Sequence, residues 1–167
     1  RAFFSWALLL PMAMPAYVLA FVAVASLDYA GTVPVLLRGW FGADLWLPPI
    51  RSTGGVILVL ALAGYPYVYL MARGAFLTHG ARALEAAQSL GLGPWRGLFR
   101  VAVPLARPWL AAGAALVAME TLADFGAVSV FNYDTFTTAI YKAWFGLFSL
   151  ETALGLALLL LVFVAAA

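Results

Sequence analysis

Four long, mostly apolar stretches constrain the fold of this chain more than any other feature of its sequence. They comprise residues 3–27, 54–77, 105–128 and 147–167. About 20 mostly apolar residues suffice for a helix to cross a bilayer, and a helix satisfies its own backbone polar groups where water is excluded. The sequence therefore predicts an all-α transmembrane protein, a polytopic helical bundle with at least four spanning helices.

The composition supports a membrane protein and argues against several other classes. Hydrophobic residues make up 66% of the chain and charged residues only 10%, against about a quarter charged in a typical soluble domain. Without cysteine, disulfide frameworks and cysteine-ligated metal sites are excluded. A scattered net charge of +2 is too small for a nucleic-acid surface.

The ends of the sequence indicate a piece of a longer polypeptide. Arg1 is not an initiator residue, and the last residues, up to Ala167, lie inside an apolar run. No low-complexity linker or internal repeat divides the chain. We therefore expect one transmembrane domain over residues 1–167, incomplete at both ends.

Prolines interrupt two of the predicted spans. Pro11 and Pro15 lie in the first span and Pro66 in the second. Proline removes a backbone donor and bends a helix, which membrane helices tolerate when neighbours satisfy the freed carbonyl. We favour packing kinks over moving gates at these positions.

Two segments between the spans are predicted to lie on the same, outer side. Residues 28–53 are rich in glycine and proline and predict a loop, with one short helix around 33–40. Residues 129–146 include an asparagine, an aspartate and three threonines. The sequence leaves open whether this second segment re-enters the membrane.

A polar segment between the second and third spans carries the most specific pattern in the chain. Its marked positions are Glu85, Ala86, Ala87, Gly91, Val101, Val103 and Pro104. The pattern resembles the EAA loop of binding-protein-dependent ABC importer permeases, E-A-A-x3-G-x9-I-x-L-P, with valine in place of isoleucine and of leucine. The resemblance implies a MetI-like permease fold, in which residues 78–104 form a cytoplasmic coupling loop.

Local signals predict the shape of this loop. Leu84, Ala87 and Leu90 recur at three-residue intervals, which predicts a short helix over 81–90 with one apolar face. Gly91 suits the left-handed turn that ends a helix. Pro94 suits the first turn of the next helix, and Pro104 then marks the start of the third span.

The resemblance implies that this loop docks in a cleft of an ATP-binding subunit. Ala86 and Ala87 would let a partner backbone approach closely, and Glu85 offers a charged acceptor. The sequence has no GxxxxGK[ST] phosphate loop, so ATP hydrolysis is expected on a separate subunit, and the chain is expected to be no enzyme and to need no cofactor. The alternative, an amphipathic loop resting on anionic headgroups, leaves the joint placement of Glu85, Gly91 and Pro104 unexplained.

The basic residues give the expected direction of the chain once this loop is placed inside. Six of the nine then lie at the inner face, namely Arg1, Arg73, Arg82, Arg96, Arg100 and Arg107, and three outside, namely Arg38, Arg51 and Lys142. This distribution fits the positive-inside rule. The expected localisation is the cell inner membrane, with several passes through the lipid bilayer.

Further stretches resemble the ferric-iron branch of these permeases. They cover residues 11–17, 105–109, 119–128 and 135–144. Sulfate, thiamine and polyamine permeases share the architecture, so the substrate stays open. The resemblance implies three protein partners: the ATP-binding cassette subunit, a periplasmic substrate-binding protein, and a second permease half that is the same chain, a copy or a homologue.

Glu120 and Asp124 are the main candidates for a translocation path. Four residues apart, they are expected on one helical face in the outer half of the third span. Carboxylates within a span are costly and usually face a cavity, a partner charge or a pathway; ferric iron favours carboxylate and phenolate oxygen. The alternatives are a structural pair with Arg51, Arg38 or Lys142, or a contact with the binding protein.

Two tyrosines and one histidine are weaker candidates. Tyr65 and Tyr69 share a face of the second span near Pro66 and are included in the predicted path, although buried tyrosines with hydrogen-bonded hydroxyls are commoner. His79, the only histidine, is interpreted as a helix-end or headgroup contact, and no metal site is predicted.

The predicted function is the permease subunit of an ATP-driven importer, with ferric iron as the expected substrate. A channel or a secondary transporter would leave the inner loop unexplained. An intramembrane enzyme would need a nucleophile and base or a metal constellation, which one histidine and no cysteine do not provide.

Overall fold

A computed structural model describes residues 2–166, and all secondary structure in this range is helical. The α-helices are α1 (Ala2–Ala7), α2 (Ala16–Leu27), α3 (Thr32–Phe41), α4 (Thr53–Ala75), α5 (Ala81–Ser89), α6 (Pro94–Gly97), α7 (Val103–Ala123), α8 (Gly126–Val130), α9 (Phe136–Tyr141) and α10 (Leu150–Ala166). A 3-10 turn covers Leu10–Ala13, and π-helical turns cover Phe76–Gly80, Leu98–Ala102 and Lys142–Gly146. The inner placement predicted for Arg1 and the end of the fourth span at Ala167 lie outside the described residues.

Three helical runs in the described range are long and apolar enough to cross a membrane. They are Ala16–Phe41 with 26 residues, Thr53–Ser89 with 37 and Pro94–Ala123 with 30. Their mean hydropathies are 1.7, 1.8 and 1.5. Helix α10 is apolar but has 17 residues, fewer than the other three runs. The predicted all-α transmembrane fold is confirmed, whereas the predicted count of four spans is not.

The first predicted span, residues 3–27, is not one helix. Helix α1 ends at Ala7, and Pro15 precedes α2 with an extended backbone at φ −56° and ψ 145°. Because each proline lacks a backbone donor and disfavours helix before it, the Pro11–Pro15 region breaks the helix, and the expectation of a packing kink there is wrong. The membrane-length run begins at Ala16 instead and continues through a turn into α3, which confirms the short helix predicted around 33–40.

The chain forms two compact units. One contains the described residues up to Ala63 together with those from Glu120 onward, and the other contains Gly64–Met119. Helices α4 and α7 each contribute residues to both units.

In the first unit, α8 packs closely on α2. Ala20 and Ala127 have no exposed surface, and a Cβ atom on Gly126 would lie 2.9 Å from the Cβ of Tyr17. Small residues allow two helix backbones to approach in this way. The surrounding core is made of Val24, Ile50, Val56, Val59, Val128 and Phe131.

In the second unit, α4 and α7 approach at two glycines. A Cβ atom on Gly64 would lie 2.6 Å from Cγ1 of Val117, and one on Gly113 would lie 3.0 Å from the Cα of Val68. Pro66 stays inside a continuous α4, and its side chain is fully buried. Its ring therefore contributes to packing within this unit.

Both long helices of the second unit run into the predicted inner loop without a break. Helix α4 passes through the π turn Phe76–Gly80 into α5, and α6 passes through the π turn Leu98–Ala102 into α7. The hydroxyl of Thr78 donates to the carbonyl oxygens of Gly74, at 2.8 Å, and Ala75, at 3.2 Å. The second helix thus continues to Ser89, beyond the span end predicted at residue 77.

Candidate functional site

Helices α5 and α6 and the turn between them form a helical hairpin over residues 81–97, here called the 81–97 hairpin. Its turn contains Gly91 at φ +83°, a conformation that glycine adopts without steric cost. The N–H of Leu92 donates to the carbonyl of Ala87 at 3.0 Å, and the N–H of Gly91 to that of Gln88 at 2.9 Å. These two bonds are a Schellman motif. The predicted helix end at Gly91 and the start of α6 at Pro94 are both confirmed.

The hairpin closes on itself through three side-chain positions. A Cβ atom on Gly97 would lie 2.9 Å from Cδ1 of Leu84 and 3.4 Å from Cβ of Ala87. Ala87 is only 3% exposed, whereas Leu90 is 84% exposed. The apolar face predicted for α5 is therefore right at Leu84 and Ala87 and wrong at Leu90, because the helix ends at Ser89 and the next residue turns away.

The opposite face of α5 is exposed. Glu85 and Ala86 are exposed, together with Arg82 and Ser89. In the described part of the chain, no hydrogen bond or ion pair engages the Glu85 carboxylate. Of the two alanines considered for a partner, Ala86 lies on this exposed face, while the side chain of Ala87 is enclosed by the hairpin.

The distal part of the pattern lies at the base of the hairpin. Val101 belongs to the second π turn, and Val103 and Pro104 begin α7; all three are half-buried. Pro104 is the second residue of α7 and lies inside the continuous helical run Pro94–Ala123, so its missing N–H removes one bond from that helix. The two π turns lie against each other, with Gly80 and Ala102 buried.

The two path carboxylates are not on one helical face. Helix α7 ends at Ala123, so Asp124 lies in the break before α8. Its Oδ1 accepts the N–H of Ala127 at 2.7 Å, and its carbonyl accepts the hydroxyl of Thr137 at 2.8 Å. Asp124 therefore holds the turn that starts α8, as Asp commonly does at a helix start, whereas Glu120 is exposed near the end of α7.

The suggested basic partners of these two acids are engaged elsewhere. Arg51 forms an ion pair with Asp28 at 2.8 Å, Lys142 forms one with Asp134, and the guanidinium of Arg38 lies 4.1 Å from the ring centre of Tyr29. Within residues 2–166, no ion pair involves either acid of the predicted path. The alternative of a structural pair with those bases is wrong for the described residues.

Tyr65 and Tyr69 are half-buried in the second unit, and neither hydroxyl has a hydrogen-bond partner in the described range. His79 is exposed in the first π turn. No group of three or more histidine, aspartate or glutamate side chains in residues 2–166 is placed to hold a metal ion.

Sequence reasoning missed how the three threonines of segment 129–146 are used. Thr135 and Thr138 form a reciprocal capping box at the start of α9: the N–H of Thr135 donates to Oγ1 of Thr138 at 2.7 Å, and Oγ1 of Thr135 accepts the N–H of Thr138. Thr138 is only 5% exposed. The spacing T-x-x-T was the available signal, although glutamate or glutamine is the usual second member of such a box.

Comparison with known proteins identifies the family of this chain. Residues 1–167 match the model of the family described as binding-protein-dependent transport system inner membrane component. The chain is 32% identical over 154 residues to the Fe(3+)-transport system permease protein FbpB 2 of Haemophilus influenzae, covering 92% of this chain and 26% of that protein.

Other relatives are named as permeases of different transport systems. The molybdenum transport system permease protein ModB of Escherichia coli is 28% identical over 131 residues, which is 78% of this chain and 56% of that protein. The sulfate transport system permease protein CysT of Escherichia coli is 32% identical over 122 residues, which is 71% of this chain and 41% of that protein. The chain thus spans between a quarter and rather more than half of these relatives. It belongs to the family of binding-protein-dependent transport system inner membrane components.

Proposed function

We propose that this chain is the membrane-spanning permease part of an ATP-driven ABC importer and is not itself an enzyme. The observation that carries the proposal is the 81–97 hairpin, in which the EAA-like positions fold into a self-packed unit with one exposed helix face. A rigid, projecting face with a small residue at Ala86 and an acceptor at Glu85 suits a protein partner. A channel or secondary transporter has no use for such a face.

The remaining parts of the assembly follow from this proposal. The exposed face of α5 binds an ATP-binding cassette subunit in the cytoplasm, which places residues 78–104 on the inner side of the cell inner membrane. Substrate arrives from a periplasmic binding protein on the other side. A second permease half, from the same chain, a copy or a homologue, completes the path through the bilayer. Family membership and the membrane-length helices support this arrangement.

Binding to the ATP-binding subunit is tested at Ala86. Ala86→Arg puts a long side chain on the exposed face and should reduce copurification of the subunit on the order of tenfold, equivalent to about 1.4 kcal/mol. Gln88→Arg is the matched control, since residue 88 is also exposed but lies about 160° around α5 from residue 86. Its copurification should stay within about twofold of the parent.

The permease proposal fails if both arginine variants copurify equally with the subunit and retain substrate-stimulated ATP hydrolysis. Thermal unfolding of the purified full-length protein provides the check on folding. Neither variant should change it appreciably, because both positions are exposed and substitutions on such surfaces change stability by less than about 0.5 kcal/mol.

Ferric iron is the substrate we propose within this function. Two observations support it: the 32% identity to a protein named as an Fe(3+) permease, and the exposed Glu120 carboxylate, which no base neutralises in the described part of the chain. Molybdate and sulfate are the alternatives suggested by the names of other relatives, and thiamine and polyamines by the shared architecture.

A comparison of labelled ferric iron, molybdate and sulfate in the same proteoliposomes separates these substrates. If iron is carried along Glu120, Glu120→Gln should lower iron uptake several-fold at unchanged expression, because the carboxylate oxygen is replaced by an uncharged amide. Glu151→Gln, at another exposed acid in the first turn of α10, should leave uptake unchanged. Uptake of an oxyanion but not of iron would overturn the substrate, and full iron uptake by Glu120→Gln would remove Glu120 from the path.

Tyr65 and Tyr69 stay in the proposed path as weaker members. Asp124 stays there as well, although its bond to the N–H of Ala127 means that Asp124→Ala would also disturb the fold. Glu120 is therefore the position at which transport and stability are most cleanly separated.

A further inference from the structure

One side chain in the first unit joins the ends of three helices. The Nε of Arg51 donates to Oδ2 of Asp28 at 2.8 Å, and its Nη1 donates to the carbonyl of Val130 at 2.9 Å. Asp28 directly follows α2, Arg51 stands two residues before α4, and Val130 is the last residue of α8. The planar guanidinium holds its donors in a fixed fork that makes both bonds at once, whereas the ammonium of a lysine is a point charge on a flexible stem.

The backbone that presents Arg51 is held in place. Ile50 is buried, and its carbonyl oxygen would lie 1.9 Å from a Cβ atom on Gly55, so the turn folds back tightly on the start of α4. The hydroxyl of Ser52 donates to the carbonyl of Pro49 at 2.7 Å and accepts the N–H of Gly55. The guanidinium therefore extends from a fixed point.

A cavity of about 690 Å³ lies beside this cluster. Its lining combines apolar side chains of α2 with the ion pair itself, and includes Phe21, Val24, Asp28, Tyr29, Arg51 and Val130. Val24 belongs to the core over which α8 packs on α2. Any movement of α8 away from α2 would therefore extend this cavity into that core.

The contacts that hold α8 in place are of two kinds. Against α2 it packs through small residues, as at Ala20 and Ala127, which make no side-chain hydrogen bonds. Two hydrogen bonds connect α8 to the start of α4. Arg51 donates to the carbonyl of Val130, the last residue of α8, and just beyond α8 the hydroxyls of Tyr133 and Thr53 lie 3.0 Å apart. The ion pair of Arg51 adds to the apolar packing of α8, and it is the part of these contacts that water reaches.

We propose that Arg51 is a releasable link that keeps α8 seated on α2 beside this open cavity, and that its release opens the predicted outer side of the permease. The Arg51 and Asp28 side chains are 44% and 43% exposed, so water can replace their contacts at low cost. Arg51 acts here as a positioning residue and does not touch substrate. The proposal rests on the permease function proposed above, because only a transporter needs this side to open and close.

The test measures how accessible the core between α8 and α2 is to a water-soluble reagent. The full transporter, with its ATP-binding subunit, is reconstituted in proteoliposomes with no other reactive cysteine, and Val128, which is 2% exposed, is replaced by cysteine. The rate of labelling by a membrane-impermeant maleimide is then measured from the binding-protein side. Since the 167 residues contain no native cysteine, the signal from this part of the chain comes from position 128 alone.

Arg51→Gln should raise the resting labelling rate on the order of tenfold. Arg51→Lys should give a smaller rise, because it keeps the positive charge but not the fixed fork that holds both bonds together. Arg38→Gln is the matched control. Arg38 is a second predicted outer arginine. Within residues 2–166 its guanidinium bonds to the carbonyl of Tyr29 at 2.8 Å and stacks on the ring of the same residue. Its variant should label within about twofold of the parent.

A purely structural arginine would give a different result. In that case Arg51→Gln would label faster only if the melting temperature of the complex also fell. The double variant Asp28→Arg, Arg51→Asp would then label as fast as Arg51→Gln. If Arg51 is a releasable link, Arg51→Gln should raise the labelling rate at nearly unchanged melting temperature. The charge-exchanged double variant should label at a rate between those of Arg51→Gln and the parent.

Labelling with and without ATP shows whether a negative result contradicts this inference or the proposed permease function. Trapping the parent complex with ATP should raise labelling at position 128, and Arg51→Gln should remove most of that difference. No effect of nucleotide on the parent would contradict the importer function. A response in the parent, with Arg51→Gln still labelled at the parent's resting rate, would contradict the link alone.

Discussion

Ala86 and Ala87 are neighbours in the sequence and have opposite surroundings. Ala86 is exposed on α5, whereas Ala87 is 3% exposed and faces Gly97. The turn at Gly91 and the helix start at Pro94 could be predicted because each depends on the backbone preference of one residue. The difference between the two alanines could not, because it depends on where α6 comes to lie.

Gly97 allows a direct test of this contact. Gly97→Val should destabilise the 81–97 hairpin by about 1 kcal/mol, at the low end for overpacking, since its Cβ atom would press on the flexible end of the Leu84 side chain, which can shift. Gly93→Val is the control, because position 93 has an extended backbone and open space around its Cα. Protease sensitivity of the loop in the intact protein measures the effect, and equal sensitivity of the two variants would argue against the packing described.

At the scale of helices and turns, the existence of most helices could be predicted, whereas several of their ends could not. The run of apolar residues past Ala123 suggested a helix to residue 128, but Asp124 bonds to the N–H of Ala127 and starts a new helix there. An aspartate can continue one helix or begin the next, and its sequence neighbours do not decide between the two. The break at Pro11 and Pro15 was misjudged for a similar reason, since two prolines four residues apart leave too few bonded turns between them.

The capping box of α9 gives a prediction at this scale. Thr138→Val keeps the shape of a side chain that is 5% exposed but removes its bond from the N–H of Thr135. We expect a loss of about 1–2 kcal/mol of stability, the usual effect of deleting a cap. Thr32→Val serves as the control, because Thr32 is exposed and its hydroxyl has no partner in residues 2–166. Thermal melting of the full-length protein compares the two, and an unchanged melting temperature for Thr138→Val would show that the box contributes little.

For the whole molecule, the two segments predicted to share the outer side lie close to each other. Residues 28–53 and 129–146, both predicted outside, lie together in the first unit through the bonds of Arg51 to Val130 and of Thr53 to Tyr133. The long apolar stretches were enough to predict the all-α membrane fold. The number of spans was not predictable from hydropathy alone, since an apolar stretch does not show where turns divide it into helices.

Sidedness is tested with single cysteines at two very exposed positions. Leu90→Cys, 84% exposed at the turn of the 81–97 hairpin, should react with an impermeant thiol reagent only from the cytoplasmic side. Phe148→Cys, 88% exposed before α10, should react only from the opposite side. Inverted and right-side-out vesicles provide the two conditions. Reaction of both positions from one side would contradict the topology.

The enclosed side chain at position 87 also has an evolutionary meaning. In a relative that no longer bound any ATP-binding subunit, position 86 would be free to drift towards larger residues, whereas position 87 would be retained as long as α5 and α6 still folded against each other. An alanine retained at position 87 in such a relative would then indicate that the hairpin still folds. It would not indicate whether an ATP-binding subunit still binds.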